Sequence, residues 1–145
     1  MRKVAGILVL ASAIAAAAGL AWSAEQFGVP VYPGAGSDAA TESYCTSFNQ
    51  ESVQQARGKQ ESQAQCFRTS DSFRQVVSFY QHERTVMPLG QPIDKGLQKS
   101  ALFCLQGMRS ASLGNGVDVM VSTPWSDGAQ QYSDVIISIR KATKR

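Results

Sequence analysis

Few residues in this chain combine into patterns that do chemistry. Its only histidine is His82, so any Ser-His-Asp or Cys-His arrangement would have to be built around that one side chain. His82 lies two residues past Tyr80, about 200° around a helix from the apolar stripe on which Tyr80 falls. That places it on the wet side beside Glu83, as a surface histidine rather than a general base. Three cysteines are present, Cys45, Cys66 and Cys104. None forms a C-x-x-C pair, which removes a thioredoxin-like redox motif. Together with His82 they make a nominal Cys₃His set, but no two lie at zinc-ligand spacing, so no metal is expected. The acids form no close pair of the kind carboxylate catalysis needs, and Asp71 reads as a helix cap. Gly114-Asn115-Gly116 reads as a turn rather than a phosphate cradle, because no helix N-terminus follows it. No catalytic residue and no cofactor is assigned.

The N-terminus says where the protein works. Met1-Arg2-Lys3 is a positive start, followed by an uncharged run from Val4 to Ala24 and a first acid at Glu25. Ala21 and Ser23 fit the small-x-small cleavage pattern, so residues 1–23 are expected to be a signal peptide and 24–145 the mature domain. The alternative is an uncleaved anchor in the inner membrane, which the length of the run allows and the weakly apolar stretch Ala11 to Ala18 disfavours. No cysteine lies at the cleavage point, so lipid anchoring there is excluded. The expected location is the periplasm or the extracellular space, with membrane contact only through an uncleaved signal segment. Loss of Arg2 and Lys3 leaves 12 basic residues against 11 acidic ones, a net charge of +1. Arg140, Lys141, Lys144 and Arg145 then form a short basic C-terminal tail. A solvated tail is the plain reading, and docking on an anionic surface the other. No basic stripe is interleaved with aromatics, which argues against nucleic acid.

Export sets the redox state. In an oxidising compartment two of the three cysteines are expected to pair. Cys45–Cys66 is the favoured bridge, because it closes a short loop and pins the first helix onto the first strand. Cys66–Cys104 would need two neighbouring strands.

The elements follow from periodicity. Pro33-Gly34 suits the centre of a type II turn in an extended lead-in that packs Val31 and Tyr32. Ser37 or Asp38 caps a helix from Ala39 to about Asn49, with Ala40, Tyr44 and Phe48 on one stripe and Cys45 beside it. Gln50 to Gln63 is polar and reads as a frayed end and a loop. Ala64 to Thr69 is a short strand, with Phe67 and Cys66 on opposite faces. Ser70 and Asp71 cap a second helix whose stripe is Phe73, Val76, Val77 and Tyr80. Ala101 to Met108, Val117 to Ser122 and Ser133 to Arg140 alternate as strands, the first two joined by an Asn115-Gly116 turn. The expected fold is a single α+β domain: an antiparallel (mixed at most) sheet ending in a three-stranded meander, with both helices packed on one face.

Five short motifs mark the chain: Tyr32 to Ala35, Phe67-Arg68-Thr69-Ser70-Asp71, Val76-Val77-Ser78-Phe79-Tyr80, Pro124-Trp125, and Val135 to Ile139. In these it resembles a family of small exported bacterial proteins of unknown function with a Y-P-G-A turn, an R-T-x-D element leading into a V-x-x-F-Y helix, and a P-W hairpin. The resemblance implies the fold and the compartment, and supplies no activity or catalytic residue.

Two functional readings follow. One is a non-enzymatic exported module that binds a protein or another envelope component through the Pro124-Trp125 hairpin and the sheet face the helices leave open. Trp125 serves either as a binding anchor or, more commonly for such a residue, as packing against the sheet. The other is a small secreted or periplasmic hydrolase with an uncommon active site, which would need a concave pocket with converging polar groups.

Overall fold

The computed structural model describes residues 25–107 and 115–145. The proposed signal segment lies outside the described residues. Among these residues nine strands and two helices follow in the order β1 (Glu25–Gln26), β2 (Val29–Pro30), α1 (Ala39–Gln55), β3 (Gln60–Thr69), α2 (Phe73–His82), β4 (Val86–Pro88), β5 (Lys99–Leu105), β6 (Gly116–Thr123), β7 (Trp125–Ser126), β8 (Gln131–Tyr132) and β9 (Val135–Lys144). The main sheet runs β3-β9-β6-β5-β4, and every neighbouring pair is antiparallel. This is the expected α+β class, and β5, β6 and β9 form the expected meander.

β9 sits between β3 and β6, and its first six residues are buried without a break. The alternation of a strand divides them between two faces. Val135, Ile137 and Ile139 join Val119, Val121, Ala101 and Phe103 in one cluster, and the Phe73, Val76, Val77 and Tyr80 stripe of α2 closes over it. Ile136 points the other way, into a second cluster with Cys45, Cys66 and Trp125.

That second cluster corrects the placement of the helices. α1 and α2 lie on opposite faces of the sheet, not on one. The cause is the Cys45–Cys66 disulfide, with Cα atoms 5.6 Å apart. Cys66 pairs across the sheet with Ser138, whereas Phe67 pairs with Ile137 on the α2 side. A helix bonded to Cys66 must therefore sit on the face away from Phe67. The alternative bridge is excluded by strand order. β9 and β6 separate β3 from β5, which puts Cys66 roughly 14 Å from Cys104, about twice the Cα separation a disulfide permits. Cys104 is free and buried.

Local chemistry moves several boundaries. Asp38 caps α1, accepting from the Thr41 backbone N–H at 2.9 Å, while the Thr41 hydroxyl oxygen accepts from the Asp38 N–H at 2.8 Å. α1 then continues past Asn49 to Gln55, and β3 begins at Gln60. The polar stretch Gln50–Gln63 is therefore helix and strand joined by a turn at residues 56–59, not a loop. Its side chains are polar because they are wet, not because the backbone is irregular. Ser72 caps α2 in a reciprocal pair with Gln75, so Ser70 and Asp71 do not. β5 stops at Leu105, and Gly116 is already the first residue of β6, paired with Ala142. Asn115-Gly116 is thus not the centre of a two-residue turn. The basic C-terminus is strand as far as Lys144 rather than a free tail. The Pro33-Gly34 turn is as expected, with Gly34 at φ +80° and the Ala35 N–H donating to Tyr32 O at 3.1 Å.

The disulfide carries a measurable share of this stability, because α1 is polar nearly all round and buries only Thr41 and Cys45. A Cys45→Ser, Cys66→Ser double variant should lose about 3 kcal/mol, the chain-entropy value for a loop of this length. Urea denaturation of the oxidised and variant proteins measures it, and the loss of α1 contacts should appear first as exposure of Trp125 fluorescence.

Candidate functional site

Trp125, read from the sequence as packing more readily than as a binding anchor, faces inward. It is 4% exposed, stacked on Tyr132 with ring centroids 4.4 Å apart and edge-on to Tyr44 of α1 at 5.6 Å. The hairpin of β7 and β8 folds it back onto the α1 face of the sheet, beside Ile136. Its indole N–H donates to Asp134 Oδ1 at 2.9 Å. The other oxygen of Asp134 accepts from Arg68 Nε at 2.7 Å, and Arg68 reaches Asp38 at 3.2 Å. The guanidinium lies over both rings, 4.9 Å from Trp125 and 4.4 Å from Tyr132. Arg68 thus ties the cap of α1, the end of β3, the hairpin and the start of β9 into one clasp. Contact with Asp134 first, and Asp38 second, pushes the Arg68 pKa up. The clasp spends the Trp125 indole N–H, both Asp134 oxygens and two of the Arg68 nitrogens on partners within the fold.

A second polar group lies on the outer side of α2. The Tyr32 hydroxyl donates to Asp71 Oδ2 at 2.6 Å, and the ring meets Phe79 edge-on at 5.3 Å. A cleft of about 490 Å³ opens here, lined by Tyr32, Asp71, Ser78, Phe79, His82 and Glu83 among others. His82 Nδ1 donates to the Ser78 carbonyl at 2.7 Å, and the Ser78 hydroxyl is 3.5 Å away. With that proton on Nδ1 and turned to a carbonyl, His82 cannot take the Ser78 proton through the nitrogen that faces it. The Tyr32 pKa is raised to about 12, chiefly by the hydrogen bond to Asp71, so Tyr32 is a donor and not a base. Cys104 is also a poor nucleophile, since burial raises its pKa and the Asp118 carboxylate adds to that. Among the described residues no three His, Cys, Asp or Glu side chains converge as a metal site would require.

The third feature is apolar and was not read from the sequence. Among the described residues the exposed large apolar side chains are Met87 at 45%, Ile93 at 58% and Leu97 at 96%. All three fall in one stretch of eleven residues along the β4 edge and the loop after it. Met87 pairs with Cys104 and Ile93 with Ser100, so both project from the sheet face opposite α2, beyond the part that α1 covers. Leu97 stands at the rim of a groove of about 410 Å³, whose lining includes Phe73, Lys99, Pro124 and Val135. Pro124 therefore takes part in an open groove, while Trp125 does not. The sequence signal for the loop was faint: Leu97 sits alone between Gly96 and Gln98, without the periodicity that marks a buried face. The importance of Arg68 was equally hidden, because its partners lie 30 and 66 residues away.

Two outcomes check these assignments. Arg68→Lys keeps the charge but loses the fork and the stack, and should lower stability by about 2 kcal/mol in thermal or urea unfolding. For Tyr32 the folded pKa lies above the unfolded one, so the stability it adds is complete below about pH 10 and is lost as pH rises towards 12. An absorbance titration of Asp71→Ala should move one tyrosine step downward, and the advantage of the wild type over this variant should shrink across that window.

No protein-family model, curated protein or solved structure matches this chain.

Proposed function

We propose that the protein is an exported, non-enzymatic module that binds a protein or another envelope component through the Met87–Leu97 segment and the Pro124 groove beside it. The observation that carries this reading is Leu97, a leucine left 96% exposed at the rim of an apolar groove. Two further large apolar side chains stand exposed in the same segment. A soluble domain keeps such side chains apart unless something covers them. The contact surface differs from the one expected of the hairpin, because Trp125 is spent on the Arg68 clasp. Export is supported by the charge and hydropathy of residues 1–24 together with the Cys45–Cys66 bridge. No described helix is long and apolar enough to cross a membrane.

The hydrolase reading would place chemistry in the Tyr32–His82 cleft. The hydrogen bonds there favour the binding reading, since the groups that would act as base and nucleophile are turned to other partners.

Capture from an envelope fraction tests the proposal. Wild-type protein should retain a partner that an Ile93→Ser, Leu97→Ser double variant loses, with the melting curves of the two unchanged. Equal capture by both would remove the Met87–Leu97 surface from consideration.

A further inference from the structure

We infer that the end of the sheet opposite the Pro124 groove is a docking surface for an anionic lipid bilayer. β9 carries the chain from Val135, in the groove, to Lys144, about 30 Å away at roughly 3.3 Å per residue. There its last residues pair with the first residues of β3: Lys144 with Gln60 and Lys141 with Gln63. The Arg145 N–H donates to Lys59 O at 3.1 Å, which brings the turn at the end of α1 into the same group. Arg57, Lys59, Lys141, Lys144 and Arg145 are all exposed. Within the segments 56–63 and 141–145 the only acid is Glu61, which meets Arg145 at 3.3 Å with both side chains largely in water. Five positive charges against one leave an excess of four, or three with a carboxylate counted at Arg145.

The fold completes this concentration by bringing Arg57 and Lys59 to the C-terminal Lys141, Lys144 and Arg145. Without residues 1–23 the chain is close to neutral, and Lys144 faces Gln60, which lies 84 residues earlier in the sequence (144 − 60), so antiparallel pairing is what brings the two basic segments together. Arg140 does not take part. It turns inward to Asp118 at 3.7 Å, and both side chains are almost fully buried.

The charge of this end points to the ligand. None of the five basic residues lines any of the clefts at the Tyr32, disulfide, Pro124 or Pro92 regions. Among the described residues the exposed large apolar side chains all lie in the Met87–Leu97 segment instead. Among the described residues no exposed large aromatic stands beside these five, and they line none of those clefts, so they offer nothing to enclose one anion or to stack a base. It does suit the diffuse negative potential of phosphate headgroups, which attracts each lysine or arginine near the surface independently. Docked this way, the protein would lie against a membrane by one pole and present the Leu97 rim outward.

Vesicle sedimentation with the protein as recovered from the exporting cell tests this. Binding to phosphatidylcholine vesicles containing about one-third phosphatidylglycerol should be clear at low salt, weak on pure phosphatidylcholine, and lost as the Debye length contracts to about 3 Å near 1 M salt. Lys141→Gln with Lys144→Gln should lower the partition coefficient about thirtyfold at an unchanged melting temperature. Arg57→Gln with Lys59→Gln, on the other segment, should do the same even if the first pair disturbs β9. Equal binding to neutral vesicles would mean that an apolar segment carries it and would overturn the proposal. So would anionic binding unaffected by both pairs, or retention by an acidic protein without retention by vesicles. Ile93→Ser with Leu97→Ser should leave vesicle binding intact, which separates this surface from the partner site.

Discussion

The side of the sheet on which α1 lies follows from one covalent link acting on a strand whose side chains alternate. Cys66 points away from Phe67, so the bond to Cys45 draws α1 to the face that α2 does not occupy. Little else would hold α1 there. Apart from Ala39 its exposed positions are Thr, Ser, Gln and Glu, and its apolar contribution is Cys45 with the half-buried Ala40, Tyr44, Phe48 and Val53. A helix with so weak a stripe gains little from burial, and the bridge compensates by limiting the unfolded chain. In return α1 lies against β3, the long edge strand of the sheet, whose unpaired backbone would otherwise invite another chain. The opposite edge is kept short by Pro88, where β4 ends.

Placing a helix on each face makes β9 the centre of the molecule. It is buried on both sides, which explains why Val135-Ile136-Ile137 reads as a continuous apolar run instead of a simple alternation. Ser138 and Arg140, which interrupt the pattern, face α1 rather than α2. Arg140 is accommodated there by Asp118 and by the ring of Phe48 at 5.9 Å. The same division accounts for Arg68. It closes the α1 side at its open end, joining the cap of α1, the end of β3, the β7–β8 hairpin and the start of β9. A planar, permanently charged group with donors in a fork can stack on two rings and hold two carboxylates at once, which a lysine cannot.

The two proposed contact regions are what this construction leaves over. Both sheet faces are largely covered and the hairpin is turned inward, so the exposed apolar residues collect on the segment after β4. The charges collect where β3 begins and β9 ends. A partner site at one end and a basic pole at the other follow from the same strand, read from its two termini.

Much of this was legible without coordinates. The α2 stripe, the alternation of β5, β6 and β9, the Asp38 cap and the Pro33-Gly34 turn are local, and each depends on residues within one turn or one pleat. The Cys45–Cys66 bridge and the opposition of Cys66 to Phe67 were also readable, and together they already imply helices on two faces. Taken separately they allowed a one-faced packing. What remained to the tertiary structure was non-local. Polar composition could not separate a wet helix and strand from a loop between residues 50 and 63, because exposure and irregularity leave the same composition. The inward turn of Trp125 depends on Arg68 and Asp134, which reach it only once the sheet has formed. The joining of Arg57 and Lys59 to the basic C-terminus and the exposure of Leu97 are likewise properties of a surface. A surface is defined by which residues the fold brings together, and adjacency in the chain does not specify it.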